Sequence, residues 1–356
     1  MFGSASNYLT ESNPMTILSG TARSSTKRTW FVPRRCLQTQ AFSREDYAHL
    51  RRALLYVPSS SQKMLNKSLS TPVDTLIYDL EDSVAPAQKV NAQRSLTQFF
   101  SKHNLPRASE IAVRVNEVRT PMILDDVTAA LSSPNVTTLV VPKVHGVTML
   151  NDLSAILRDV GTSCPTRSSP IQIIASIESA KALQNIYSIA SWKDDRAYVS
   201  ALLFAAEDYC ADTSIQRTRS RLELLYTRSH VVNAAKAYGI QAIDMVCVDY
   251  KDPEYLAEEC EDGRRLGFDG KQAIHPTQVE TIQKTFAPSD KDISRAIAII
   301  SQMEVARAAR GSGAFGLETQ DGRTEMIDEP MVKQAQKVIE RARRAGLDIP
   351  SLPSSI

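Results

Sequence analysis

Residues 171–179 read Ile-Gln-Ile-Ile-Ala-Ser-Ile-Glu-Ser, and the stretch 180–190 that follows is amphipathic. A short run that is almost continuously apolar is a strand covered on both faces, as strands of a parallel sheet are. Its abrupt end in a carboxylate, with a helix-like stretch behind it, makes one strand-then-helix unit. The unit recurs. Ala53–Pro58, Thr75–Leu80, Ile111–Asn116, Thr138–Lys143, Ala201–Ala206, Ile243–Val248 and Gln272–His275 read as the other strands. Gln88–Lys102, Gly146–Asp159, Thr218–Tyr238 and Pro253–Leu266 read as helices between them. Eight such units in roughly 240 residues predict an α/β fold, a (β/α)8 TIM barrel. An open doubly wound sheet is the competing arrangement, because counting strands does not establish closure.

The expected barrel takes residues 43–290, and residues 291–356 are left as a C-terminal helical appendage. Helices are expected at Thr277–Lys284, at Lys291–Arg310 and from Pro330 to Ala345, with a Gly-rich lid loop, Gly311–Gly322, before the last. Gly311, Gly313 and Gly316 spell G-x-G-x-x-G. They follow a helix, whereas a dinucleotide-binding turn follows a strand, so a lid or linker is the better reading.

Composition narrows the function classes. The 42% hydrophobic content is ample for a core. No stretch approaches the ~18 consecutive apolar residues of a membrane span. The five cysteines are scattered without zinc-like spacing and suit a reducing compartment. Residues 1–42 carry five basic side chains against the single acid Glu11 and are rich in Ser and Thr. That is the composition of a mitochondrial transit peptide, and it predicts a matrix protein; an unaddressed disordered tail is the alternative. Without this segment the chain has 37 basic and 39 acidic residues. A near-neutral body argues against nucleic-acid and membrane-surface roles.

Catalytic groups of a (β/α)8 barrel lie at the C-terminal ends of its strands, and polar residues concentrate there. The strand ends carry Asp79, Glu81 and Asp82, then Arg114 and Asn116, Lys143, Glu178, Glu207 and Asp208, and His275. Glu178 and Asp208 leave neighbouring strands and can converge on one cation. Two carboxylates with open positions suit Mg2+; capping of the following helices is the alternative. Arg114 presents a planar fork for a substrate carboxylate, or forms an internal salt bridge with Glu81 or Asp82. Asp79, Glu81 and Asp82 can orient Arg114 and metal-bound water. Lys63 and Lys67 share a helix face at i, i+4, and with Lys89 and Arg94 they could hold the phosphates of an extended ligand; solvated surface lysines are the plain alternative. His275 is a candidate base or a structural histidine.

These residues, with the ordered motifs R-R-A-L-L-Y-V-P, D-L-E-D-S-V, R-V-N, V-V-P-K-V, I-E-S-A, A-E-D, G-F-D-G-K-Q-A-I-H-P-T-Q and M-I-D-E-P, resemble the citrate lyase β-subunit-like family of the HpcH/HpaI aldolase group. The likeness runs from Arg51 to Arg341 and is strongest to the family's mitochondrial, citramalyl-CoA-cleaving branch. The resemblance implies a trimeric barrel enzyme that takes acyl-CoA and oxo-acid substrates. It implies Mg2+ on Glu178 and Asp208, and Arg114 on the oxo-acid. Tyr56, Lys63, Lys67, the 86–92 turn with Lys89 and Asn91, and Gln272 and Ala273 are implied as substrate and CoA contacts. Asp328 is implied as the general acid/base, delivered from a neighbouring subunit; by itself Asp328-Glu329-Pro330 reads as a helix start with Pro at its first position.

Two departures bear on acyl specificity. Ala205 and Ala206 stand where relatives commonly have glycine, and the loop 316–325 is longer than usual. The rival readings are a CoA-independent pyruvate aldolase, a β subunit of a multisubunit citrate lyase, and a non-catalytic scaffold on a lyase fold.

Overall fold

The computed structural model describes residues 49–163, 169–310, 315–318 and 324–350. The expected leader at 1–42 lies outside them. Eight strands, β1 Ala53–Pro58, β2 Thr75–Asp79, β3 Glu110–Arg114, β4 Val136–Val141, β5 Ile171–Ile177, β6 Ala197–Phe204, β7 Gln241–Asp244 and β8 Gly270–Ala273, form a closed barrel in chain order. Every pair is parallel, including β1 with β8, where Leu54 lies opposite Gln272. Closure excludes the open sheet.

The closing seam depends on a glycine. A Cβ at Gly270 would lie 1.8 Å from the Arg51 carbonyl oxygen and 2.6 Å from that of Arg52. Only a residue without a side chain lets β8 come this close to the chain entering β1. At the same N-terminal end of the barrel, the buried Arg51 guanidinium contacts Glu110 at 2.6 Å, Gln172 at 2.9 Å, and Ser200 and Gln241 at 3.0 Å. One side chain thus ties β3, β5, β6 and β7 together, with every donor spent on an acceptor that burial would otherwise strand.

Leu54, Ile77, Ala112, Val140, Ile174, Ala201, Leu203 and Ile243 fill the barrel's interior. A larger apolar layer separates strands from helices, as a sheet buried on both faces requires. Several strands end earlier than their apolar runs suggest, because the chain stays extended for a few residues after ladder pairing stops. Helix starts follow local chemistry. Ser61 caps Gln62–Ser68, Ser179 caps Ala180–Gln184, and Asp252 with Pro253 opens Pro253–Leu266. The helix expected over 180–190 breaks at Asn185 into Ala180–Gln184 and Ile186–Ala190.

From Asp290 the chain builds a second core. Helices Asp290–Arg310 and Glu329–Arg344 pack through Ile293, Ile300, Met303, Val332 and Ile339. Part of the expected lid loop is instead an antiparallel hairpin of β9 Phe315–Glu318 and β10 Thr324–Ile327. Gly316 sits in β9 opposite Met326, so it belongs to a strand and not to a phosphate-binding turn; Gly311 and Gly313 lie outside the described residues. Ties from this unit to the barrel include Arg341 to Asp269 at 3.4 Å and Asp292 to Arg264 at 3.7 Å. Asp269 immediately precedes β8 and Arg264 ends its helix, so both mark the N-terminal end of the barrel.

Candidate active site

The opposite end gathers the chemistry. Asp79, the last residue of β2, is sealed from solvent. It accepts from Arg114 Nε at 2.7 Å and Nη2 at 2.6 Å, and from the backbone N–H groups of Glu81 at 2.9 Å and Ser83 at 3.1 Å. Burial alone would push its carboxyl upward, but the guanidinium and these donors hold it below the usual range. Arg114 Nη1 also meets Glu81 at 3.1 Å and Asp82 at 3.2 Å. The salt-bridge reading is therefore present together with the orienting one, with Asp79 as the tightest partner.

Tyr56 lies under the guanidinium, its ring centroid 4.6 Å from Arg114 Cζ. Its hydroxyl donates to Gln272 Oε1 at 2.9 Å, and Gln272 Nε2 donates to the carbonyls of Phe204 and Asp244 at 3.0 and 3.1 Å. Two sequence-derived contact residues are thus joined beneath the mouth, and Ala273 is buried beside them at the end of β8. Burial raises the Tyr56 phenol and keeps it protonated.

Glu178 follows β5 and is buried; the backbone N–H of Lys143 and the hydroxyl of Ser176 favour its charged form and partly offset that burial. Asp208 lies in the first turn of the helix Ala206–Thr213, exposed at the rim. Neither is a helix cap: Ser179 caps one helix, and Ala205 precedes the other without a side-chain bond. Burial pushes both carboxyls up, helped at Glu178 by Asp208 and at Asp208 by Asp82. Burial, with Asp82 and Glu178 nearby, pushes Glu81 up to about 8. Carboxylates crowded until they resist ionising are suited to a divalent cation. Among the described residues no group of three or more His, Cys, Asp or Glu side chains that could hold a metal ion is found; an open site of two carboxylates, with positions for water and substrate, is the arrangement Glu178 and Asp208 could offer.

Other candidates are more scattered. Lys63 and Lys67 are exposed on the helix after β1. Lys89 spends its ammonium on the carbonyls of Leu80 and Glu81 and on Asn116 Oδ1, at 2.7–2.9 Å. Asn91 is exposed and bonds Gln88. His275 accepts from the Thr277 N–H and forms a capping box with Gln278, which is a structural task. Ala205 has φ −96°, a conformation that does not call for glycine.

Asp328 is the N-cap of Glu329–Arg344, accepting from the Met331 N–H at 3.2 Å, and it is exposed. Pro330 is the second helical residue and Glu329 the first. Three residues earlier, Glu325 pairs with Arg295 at 2.6 Å, one turn from the Asp292 that meets Arg264. Asp328 thus belongs to the unit tied to the base of its own barrel. Sequence reading assigned no role to Lys143 or Ser176; a basic residue directly after a strand end was the available signal for the first.

Acids, a guanidinium and an ammonium at the C-terminal ends of β2 to β6 place the chain among catalytic (β/α)8 barrels. Within them it belongs to the HpcH/HpaI aldolase/citrate lyase family, whose model matches residues 52–276, and with it to the carbon–carbon lyases. It is 31% identical over 293 residues to citrate lyase subunit beta of Leuconostoc mesenteroides subsp. cremoris, covering 82% of this chain and 93% of that one. To the mitochondrial citramalyl-CoA lyase of Homo sapiens it is 31% identical over 300 residues, covering 82% and 85%. The Mycobacterium tuberculosis CitE protein, solved with magnesium, acetoacetate and coenzyme A, matches with a TM-score of 0.65 at 28% identity, covering 83% of this chain and 98% of that one.

Proposed function

We propose that this chain is a Mg2+-dependent acyl-CoA lyase that cleaves citramalyl-CoA to acetyl-CoA and pyruvate, in the mitochondrial matrix and as a homotrimer. The observation that carries the reading is one mouth holding two cation-seeking carboxylates, Glu178 and Asp208, beside a buttressed Arg114. Relatives named for citramalyl-CoA and for citrate support the substrate class.

Glu178 and Asp208 would hold the metal, which when bound supplies Lewis acidity at the substrate's hydroxyl and carboxylate oxygens. Arg114, held flat by Asp79 and Tyr56, faces the oxo-acid half and offsets charge that grows as the bond breaks. The hydroxyl proton passes to solvent, the O–H electron pair forms the ketone, and the carbon–carbon pair passes to the acyl-CoA fragment as an enolate. Asp328 then gives its proton to the enolate carbon. The transfer is assigned to a neighbouring subunit's mouth; ties of the appendage to the N-terminal end of its own barrel, through Asp292 and Arg341, support that reading. Lys63, Lys67, Asn91 and the stem of Lys89 are assigned to the CoA arm, with Tyr56, Gln272 and Ala273 closing the floor.

The test is acetyl-CoA release by purified protein with Mg2+ from citramalyl-, citryl- and malyl-CoA. Citramalyl-CoA is expected to give the highest kcat/KM. Preference for citryl-CoA would make the chain a citrate lyase β subunit, and cleavage of none would overturn the reading. Residues 1–42 are assigned to matrix import, for which cytosolic retention of a reporter fused to them is the refuting result.

A further inference from the structure

Arg114 has five N–H donors, and four contacts to acids already engage it: two to Asp79, at 2.7 and 2.6 Å, and one each to Glu81 and Asp82, at 3.1 and 3.2 Å. One N–H is left with which to receive an anion, so a second donor group would complete the site. The neighbouring cation is differently placed. Lys143 follows β4 directly after Pro142, between Arg114 on β3 and Glu178 beyond β5. Its ammonium makes an ion pair with Glu81 at a loose 3.5 Å, and its side chain is 41% exposed toward the mouth. Its backbone adopts φ +54°, a left-handed conformation that is strained for a non-glycine residue. That turn sets its backbone N–H near the Glu178 carboxylate, where it opposes the effect of burial. A lysine in this left-handed turn places its backbone beside Glu178 and leaves its side chain partly open.

Resting on the lyase reading above, we propose that Lys143 is a substrate-binding residue whose ammonium takes an oxygen of the oxo-acid half. Five carboxylates, Asp79, Glu81, Asp82, Glu178 and Asp208, ring this mouth. An anionic oxo-acid entering such a ring gains from a second cation beside Arg114 and the metal, and the Lys143 ammonium has donors to spare for it.

The experiment measures pyruvate binding to the Mg2+-loaded protein by calorimetry, with Mg2+ binding measured separately. Lys143→Met keeps the stem and removes the charge. It is expected to weaken pyruvate about tenfold, the loss of one charge-assisted hydrogen bond, and to raise KM in the cleavage assay, with Mg2+ affinity within about twofold. Lys143→Arg should recover most of the binding. Lys143→Gly relieves the left-handed backbone while keeping the N–H, so it should melt no lower than the parent yet bind pyruvate as poorly as Lys143→Met. Pyruvate binding by Lys143→Met within twofold of the parent overturns the proposal. So does a loss of Mg2+ affinity matching the loss of pyruvate, which would leave Lys143 only a support for Glu178. Failure of the parent to bind pyruvate does the same. A parent that binds pyruvate through Lys143 but cleaves no acyl-CoA upholds the assignment and sinks the lyase reading.

Discussion

Arg114 and Asp79, joined at 2.6 and 2.7 Å, form a fork with one end sealed and the other open: the carboxylate has no solvent exposure, whereas the guanidinium side chain keeps 18%. The acid is an anchor and the base is the working group. Asp79→Ala should therefore cost about 3 kcal/mol, because it strands a half-buried guanidinium and the two backbone N–H groups of Glu81 and Ser83. Urea unfolding at pH 7 measures it, and an unchanged midpoint would show that the fork does not stabilise the barrel.

Glu178→Gln and Asp208→Asn should each abolish turnover with little change in the melting curve. Neither side chain caps a helix, so losing its charge removes little from the fold. Removing one of two metal-holding carboxylates misplaces the group that sets reaction geometry. Near-normal activity of either variant at limiting Mg2+ would remove it from the metal site.

Asp328→Asn should leave metal and CoA affinity nearly unchanged while lowering kcat by about 100-fold or more, the pattern of a lost proton donor. Mixing inactive Asp328→Asn chains with inactive Glu178→Gln chains should restore activity, since a mixed assembly can pair an intact aspartate with an intact metal site. No recovery despite verified subunit exchange would place the transfer within one chain.

Glu110 predicts how stability changes in acid. Burial would raise its carboxyl, but the Arg51 guanidinium, with help from His49 and the Thr138 hydroxyl, lowers it to about 2. The unfolded value is about 4.3. Because the folded value is the lower one, the pair's contribution is fully present above the unfolded value and is lost as pH falls toward 2. Glu110→Gln should thus be destabilised at pH 7 by roughly 3 kcal/mol. Its deficit against the parent should narrow on acidification from about pH 4.3. A deficit in urea unfolding that is constant with pH would rule out the ion pair as its source.

Much of this molecule is legible in its chain. Burial on both faces writes an apolar run into every barrel strand, and function writes a polar residue at its end, so the order of units and the acids Glu178 and Asp208 can be read locally. Asp79 is harder to rank, because three acids within four residues compete for one arginine and only side-chain geometry decides among them. Lys143 is hidden for another reason: a left-handed turn directly after a strand leaves no periodic trace.

The sequence by itself determined the alternation of strand and helix, the polar ends of the strands and the amphipathic C-terminal helices, because each depends on which neighbours a residue keeps within a turn or a pleat. Tertiary structure alone decided that the sheet closes, through Gly270 against the Arg51 carbonyl. It decided that Tyr56, Gln272 and Arg114 join into one support, and that the helical unit carrying Asp328 is tied to the barrel through Asp292 and Arg341. Those outcomes rest on contacts between segments far apart in the chain, as from Tyr56 to Gln272, 216 residues on. Such contacts are set by closure and by side-chain reach, and local hydrophobic patterning encodes neither.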